Sequence, residues 1–197
     1  MFACRRAPFA VSPELARELA ARYSEPHRAY HNAAHVAEVL RWFDVVADDA
    51  GWDEPGDVYL AALCHDAIYD PAASHGDNEW RSAELARRHG AGERAAQLIM
   101  MTARHGVLGR DQVDRDAAHF LDCDTAILGG SATEFDAYGA AIAIEYGHVP
   151  PYAYRAARRG FLSTMLARPR IFLSDLFHDR LDAAARDNLA RAISRLS

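Results

Sequence analysis

The chain has 197 residues, of which half are hydrophobic and a quarter are charged. This length suits one domain with a substantial core, and the composition is that of a globular protein rather than a disordered one. The formal charge of −6 argues against affinity for nucleic-acid polymers, because that affinity requires clustered positive charge.

Cysteine usage and the distribution of apolar residues indicate the compartment. Cys4, Cys64 and Cys123 are odd in number and lack the spacing of a disulfide framework, which fits a reducing environment. The N-terminal segment has no apolar core of signal-peptide length, and no later run approaches the length of a membrane span. We therefore expect a cytoplasmic protein that does not act at a membrane.

Helix start and stop signals recur along the chain. Ser12-Pro13 is typical of a helix N-terminus, Asp70-Pro71 of a helix end, and the Ser131 to Glu134 segment of a capping box. No segment alternates apolar and polar residues with the period of a strand, so the predicted fold class is all-α. The predicted helices cover about 13–23, 32–50, 58–69, 77–89, 93–105, 113–121, 131–146, 152–167 and 180–195.

The second predicted helix places a histidine on its apolar face. His35, Val39, Trp42 and Val46 follow one another at the spacing of a single helical stripe, so His35 is expected to face inward. A buried histidine can be a core residue bonded to a backbone carbonyl or a metal ligand, and the stripe fits both readings.

The third predicted helix contains a histidine and an aspartate side by side in an apolar run. His65 and Asp66 lie between Leu63-Cys64 and Ala67-Ile68, where burying polar groups is costly unless a partner satisfies them. A divalent cation is one such partner, and a hydrogen-bonded His–Asp pair without metal is the other. Asp70 is predicted one turn after Asp66, on the same side of this helix.

A second carboxylate cluster, Asp122-Cys123-Asp124, follows the sixth predicted helix. One aspartate from it, together with His35, His65 and Asp66, would give two imidazoles and two carboxylates. Such a mixed nitrogen and oxygen set suits Mn²⁺, Fe²⁺, Co²⁺, Ni²⁺ or Zn²⁺. Periodicity alone does not select these four residues among ten histidines and many acids.

The order His35, His65-Asp66, Asp124 resembles the signature of the HD-domain superfamily, and specifically its small bacterial predicted metal-dependent phosphohydrolases. The similarity extends over nearly the whole chain. The matching segments are Arg28-Ala29-Tyr30-His31-Asn32, His65-Asp66-Ala67-Ile68-Tyr69-Asp70, Asn78-Glu79, Thr102, His105, Leu121-Asp122-Cys123-Asp124, Ile127-Leu128-Gly129, Glu145-Tyr146, Arg158, Arg168-Pro169-Arg170 and Ala185-Arg186-Asp187-Asn188-Leu189.

The resemblance implies one helical HD-type domain over 1–197, with a core of about 24–147 and C-terminal helices of about 150–197 packed on it. It implies one divalent metal, for which Mg²⁺ stays an option, held by His35, His65, Asp66 and Asp124. The implied reaction is hydrolysis of a phosphoester or phosphoanhydride, with a nucleotide or another small phosphorylated metabolite as substrate. Asp122 would then be an acceptor behind the ligands or a surface residue.

Further residues of the matched segments are candidates for catalysis and substrate binding. Asp70, Glu79 and His105 could orient the attacking water or protonate a leaving group, although each also suits a turn or a helix terminus. The candidate substrate contacts are Arg28, Asn78 and Arg158, with the arginines as phosphate clamps or ordinary surface residues.

Two other functions fit the same residues. One is a metal- or nucleotide-binding regulatory domain without turnover, and the other is a di-iron oxygenase, which needs extra histidines such as His75, His89 or His105. His31 lies one turn before His35, but packing or a bond behind the ligands suits it better than a metal. Monomer and homodimer both stay open.

Overall fold

Nine α-helices and two short 3-10 turns make up the regular structure of residues 3–196, which the computed structural model describes. These residues contain no β-strand, so the all-α prediction is confirmed for them. None of their helices has the length and apolar character that crossing a membrane requires. The helices are α1 Pro13–Arg22, α2 Ala33–Asp48, α3 Pro55–Cys64, α4 Asp77–Arg88, α5 Glu93–Thr102, α6 Arg115–Thr125, α7 Ala132–Glu145, α8 Pro151–Leu166 and α9 Asp175–Arg195, and the 3-10 turns are Arg110–Gln112 and Ala126–Gly129.

Helix α3 occupies the centre of the bundle. It packs against α2, α4, α5 and α6, and six of its ten residues are buried. A helix surrounded on all sides must be apolar all round, which explains the unbroken Val58 to Cys64 run. The C-terminal helices α8 and α9 pack on each other, and α9 also packs on α6 and on the turn after it.

The predicted cap residues Ser12 and Ser131 begin their helices where expected, and Asn32, predicted as the first residue of the second helix, is its cap. Ser12 Oγ accepts a hydrogen bond from Leu15 N–H, and Asn32 Oδ1 accepts one from Ala34 N–H. Ser131 and Glu134 form the predicted capping box. His35 is buried on the inner face of α2, as its stripe predicts.

The predicted extension of the third helix to residue 69 is wrong, because α3 ends at Cys64. Two side chains from other parts of the chain hold the backbone that would otherwise continue the helix. Arg28 donates to the carbonyls of Asp66 and Ala67, and Ser82 Oγ bonds both the N–H and the carbonyl of Ile68. These partners replace the intrahelical hydrogen bonds, so the chain leaves the helix at His65.

The predicted boundaries of the sixth and last helices also differ. Helix α6 extends to Thr125 and therefore carries both aspartates of the 122–124 cluster. Helix α9 begins at Asp175, about five residues before the predicted start. Asp122 is fully buried rather than at the surface, and it accepts hydrogen bonds from Leu173 N–H, Ser174 N–H and Ser174 Oγ. Ser174, held in this way, caps α9.

Buried carboxylates anchor loops at several places in the fold. Asp116 accepts the N–H groups of residues 53 and 54, Asp182 accepts that of Ile171, and Glu145 accepts those of Tyr30 and His31. A carboxylate that receives such hydrogen bonds satisfies buried loop backbone that has no helical partner.

Candidate metal centre

Four ionisable side chains from three helices meet at one point inside the bundle. His35 lies in the first turn of α2, His65 caps the C-terminus of α3 with Asp66 following it, and Asp124 lies in the last turn of α6. One ligand atom from each lies within 4.8 Å of all the others, and both histidines are buried. In the part of the chain that the structure describes, this is the one such cluster of three or more residues.

The spacing of the donor atoms suits a single cation. His35 Nε2 lies 3.1 Å from His65 Nε2, 2.9 Å from Asp124 Oδ1 and 3.4 Å from Asp66 Oδ2. His65 Nε2 lies 3.0 Å from Asp66 Oδ2 and 3.4 Å from Asp124 Oδ1. Adjacent ligands held at about 2.0–2.2 Å from one ion are about 2.8–3.6 Å apart, so these distances match one shared coordination sphere.

The tautomer of His65 supports the same interpretation. Its Nδ1–H donates to the carbonyl of Ala62 at 3.1 Å, which leaves Nε2 of the neutral ring with a free lone pair. That lone pair faces Nε2 of His35 and the two carboxylates. A backbone acceptor behind the ring is the usual means of orienting a metal-binding histidine.

The electrostatics of the cluster demand positive charge. Burial opposes the charged forms, yet hydrogen bonds to Asp124 and Asp66 raise the pKa of His35, and the charges of the same carboxylates raise the pKa of His65. Burial likewise opposes charge on both aspartates, but His65 is the main group that lowers their pKa values well below the usual range. A divalent cation satisfies the same two carboxylates without protonated histidines.

His105 is the candidate catalytic residue that lies closest to the cluster. It follows the end of α5, and its Nε2 is 2.6 Å from Asp124 Oδ2, while Asp124 Oδ1 faces His35. The two oxygens of Asp124 therefore have different partners. His89, by contrast, bonds Glu18, and His75 is exposed, so neither joins the cluster.

A cavity of about 490 Å³ opens beside the centre. Asp124 and His105 lie in its wall together with Arg158, one of the expected substrate contacts. Most of the remaining wall is aromatic or aliphatic, from the residues Tyr30, Ile127, Leu128, Tyr138, Ile142 and Tyr146 among others. The cavity therefore connects the candidate metal ligands to a mainly apolar space.

Other predicted site residues lie outside the cavity wall. The prediction that Asp70 lies on the same helical side as Asp66 is wrong, because α3 ends before both residues. Asp70 is exposed, and its carboxylate accepts the N–H of Ala72. Asn78 bonds the backbone N–H and carbonyl of Asp70. Glu79 is half-buried in the first turn of α4.

Arg28, one of the candidate phosphate clamps, is bonded within the protein. Its side chain is fully buried, and it donates to Glu25 and to the carbonyls of His31, Asp66 and Ala67. Four of the five N–H groups of a guanidinium are thereby used within the protein. Arg28 thus holds the backbone on both sides of the centre and does not line the cavity.

Glu145 is a residue to which the sequence pattern assigns no role. Its side chain is buried and accepts hydrogen bonds from Tyr30 N–H, His31 N–H, His31 Nδ1–H and Tyr69 OH. His31 stacks on Tyr69 and packs edge-on against His35, so Glu145 supports the wall of the centre. The sequence signal that could have indicated its burial is an acid placed directly after the apolar run 140–144.

Fold and site together define an all-helical protein with a two-histidine, two-aspartate cluster able to hold a metal ion. Comparison of the chain with family models, with curated proteins and with solved structures gave no match.

Proposed function

We propose that this chain is a metal-dependent phosphohydrolase of HD-domain type that acts on a small phosphorylated metabolite. The observation that carries the proposal is the convergence of His35, His65, Asp66 and Asp124 on one point, in a set that is widely separated along the sequence. The open cavity beside Asp124 adds room for a substrate next to the ligands.

The donor set suits a divalent transition metal such as Mn²⁺, Co²⁺, Ni²⁺, Fe²⁺ or Zn²⁺, with Mg²⁺ also accommodated by the carboxylates. When bound, such a cation supplies Lewis acidity toward a phosphoryl oxygen and lowers the pKa of water. The two carboxylates of Asp66 and Asp124 would balance the charge of a divalent cation, and the two histidines would complete the set that holds it.

The residues around the ligands have defined tasks in this reaction. Water oxygen bonds to phosphorus, the bond from phosphorus to its leaving oxygen breaks, and the leaving oxygen takes a proton. His105, bonded to Asp124 at the cavity wall, is placed to hold that proton or to orient water. Arg158, in the wall of the same cavity, would contact the phosphoryl oxygens.

Metal analysis and phosphate release test the proposal together. Asp66→Ala and Asp124→Ala should each lose the bound metal and at least about 100-fold of the hydrolytic activity, because each removes a charged ligand. Asp187→Ala, at an exposed position of α9, is the matched control and should retain both. The substrates would be a panel of phosphomonoesters, nucleotides and pyrophosphates.

The outcomes separate this proposal from its alternatives. Full metal occupancy in either ligand variant would contradict the ligand assignment. No phosphate release with any metal, despite tight binding of a nucleotide, would indicate a regulatory domain instead. Two equivalents of iron per chain and consumption of oxygen would indicate an oxygenase.

A further inference from the structure

The lining of the cavity restricts the kind of molecule that can occupy it. Its walls come from α7, α8, the end of α6 with its following turn, and the Tyr30–His31 segment. Aromatic rings dominate: Tyr30 packs edge-on against Tyr138 with ring centroids 4.7 Å apart, and Tyr146 packs against Tyr154 at 6.2 Å. Rings that are half-buried around a cavity offer flat apolar surfaces to a ligand.

Three polar side chains of the lining are already bonded within the protein. Thr125 Oγ1 donates to the carbonyl of Leu121, His31 bonds Glu145, and His105 bonds Asp124. The polar groups that remain are mainly tyrosine hydroxyls set in an otherwise apolar wall, so a ligand rich in hydroxyl groups would regain only part of its hydrogen bonds to water. The cavity suits an apolar body better than a sugar.

Arg158 is the one arginine in this lining. Its guanidinium lies over the rings of Tyr138 and Phe161, at 4.8 and 5.3 Å from their centroids, and donates to Tyr138 OH at 3.1 Å. Among residues 3–196, no carboxylate lies within ion-pair distance of it. A positive charge held by aromatic faces without an acidic partner is available to an anionic ligand.

The charge available at the site fits one phosphoryl group. Two aspartates of the centre balance a divalent cation, so Arg158 supplies the remaining fixed positive charge of the cavity. A phosphomonoester carries about −1.5 to −2 charges near neutral pH. A di- or triphosphate carries more negative charge. Arg28 does not balance that extra charge, because its guanidinium donates to backbone carbonyls.

We infer that the substrate is a phosphomonoester of an alcohol with a planar aromatic or bulky apolar body. This inference rests on the proposed function and narrows its substrate class. The phosphoryl group lies between the metal centre and Arg158, and the apolar body lies among Tyr30, Tyr138 and Tyr146. Hydrolysis then places a water oxygen on phosphorus, breaks the ester bond, and releases inorganic phosphate and the alcohol.

Binding of phosphonates, which cannot be hydrolysed, tests the inference without relying on turnover. Calorimetric titration of the Mn²⁺-loaded protein would compare naphthylmethylphosphonate, methylphosphonate and adenosine triphosphate. We expect the naphthyl compound to bind about tenfold or more tightly than methylphosphonate, because its ring system leaves water. Equal affinity of the two phosphonates, or tighter binding of the triphosphate, would overturn the inference.

Two exposed neighbouring alanines on α8 provide a matched pair of variants. Ala157 lines the cavity and Ala156 does not, although both are exposed. Ala157→Trp should lower the affinity for naphthylmethylphosphonate by about tenfold while leaving the affinity for methylphosphonate unchanged, because the added ring takes up space needed by the apolar body. Ala156→Trp should change neither. A selective loss in the Ala156 variant alone would contradict the assigned location.

The binding and turnover results distinguish this inference from the proposed function. A naphthyl preference without phosphate release from naphthyl phosphate, or from any other ester, would overturn the phosphohydrolase and support the assigned cavity. Phosphate release that favours adenosine triphosphate, without a naphthyl preference in binding, would support the phosphohydrolase and overturn the assigned substrate class.

Discussion

Replacing Glu145 with glutamine tests whether one buried carboxylate holds the wall of the metal centre in place. The native side chain accepts four hydrogen bonds, from two backbone N–H groups, His31 Nδ1–H and Tyr69 OH. Glutamine has nearly the same shape, but it carries no charge and presents an NH₂ group where the native residue has an acceptor oxygen. The glutamine NH₂ group would face either the two backbone N–H groups or the side chains of His31 and Tyr69, and in both cases the negative charge that these groups surround is lost.

The expected loss in the free energy of unfolding follows from the pKa of Glu145. Burial opposes its charge, yet the hydrogen bond and charge of His31 and the N–H groups of Tyr30 and His31 lower the pKa to about 2 from the model-peptide value of 4.5. The side chain is fully buried, so solvent screening is small. The shift corresponds to about 3 kcal/mol in favour of the charged form, and we expect Glu145→Gln to lower the free energy of unfolding by a similar amount at neutral pH.

The same shift gives a pH dependence with a defined sign. Because the folded-state pKa is the lower one, the carboxylate contributes its full stabilisation above about pH 4.5 and loses it progressively as the pH falls to about 2. Urea denaturation of the wild type and Glu145→Gln at several pH values should therefore show curves that differ most near neutrality and converge in acid.

Glu14→Gln is the control, because Glu14 is exposed in the first turn of α1. It should change the free energy of unfolding by no more than about 0.5 kcal/mol. A similarly small effect of Glu145→Gln at neutral pH would refute the reasoning, and so would a large effect that persists unchanged at about pH 2.

Three further predictions concern the arginine behind the centre, the metal itself and a helix cap. Arg28→Lys should lower the free energy of unfolding, measured by urea denaturation, by about 2–3 kcal/mol, because one ammonium cannot reach three carbonyls. Arg159→Lys, on the exposed face of α8, is the control and should leave it unchanged. Mn²⁺ at 100 times its dissociation constant should stabilise the protein by about 2.7 kcal/mol in thermal or urea unfolding, and a chelator should reverse this; a similar gain in Asp66→Ala would contradict the ligand assignment. Ser131→Ala should cost about 1 kcal/mol in thermal unfolding, because Ser131 Oγ accepts the Glu134 N–H, and an unchanged midpoint would argue against the cap.

Local sequence signals predicted the class of the fold and most helix beginnings. Ser12 and Ser131 cap the helices that their patterns indicate, because capping depends on residues within one turn of each other. The burial of His35 was predictable for the same reason, since the stripe it belongs to is set by the helical period alone. Such inferences need no knowledge of distant contacts.

Selection of the four residues of the candidate metal centre needed more than periodicity. The pattern identified His65 and Asp66 as costly to bury, but it could not choose between Asp122 and Asp124. Tertiary structure distinguishes them: Asp124 faces the histidines, while Asp122 points to the 173–174 backbone. Two residues apart on one helix, they face directions about 200° apart, so the partners on each side determine their contacts.

The tertiary structure alone decided the local geometry around His65 and Asp66. An apolar run favours continued helix, and no signal within it marks an end at Cys64. The end arises because Arg28, 38 residues before Asp66, and Ser82, 14 residues after Ile68, bind the carbonyls and N–H of residues 66–68. The local pattern of the sequence therefore determined that helices would form and that a polar pair would be buried in one apolar run. Contacts distant in sequence determined how that pair and the cavity beside it face one another, because only folding brings those partners together.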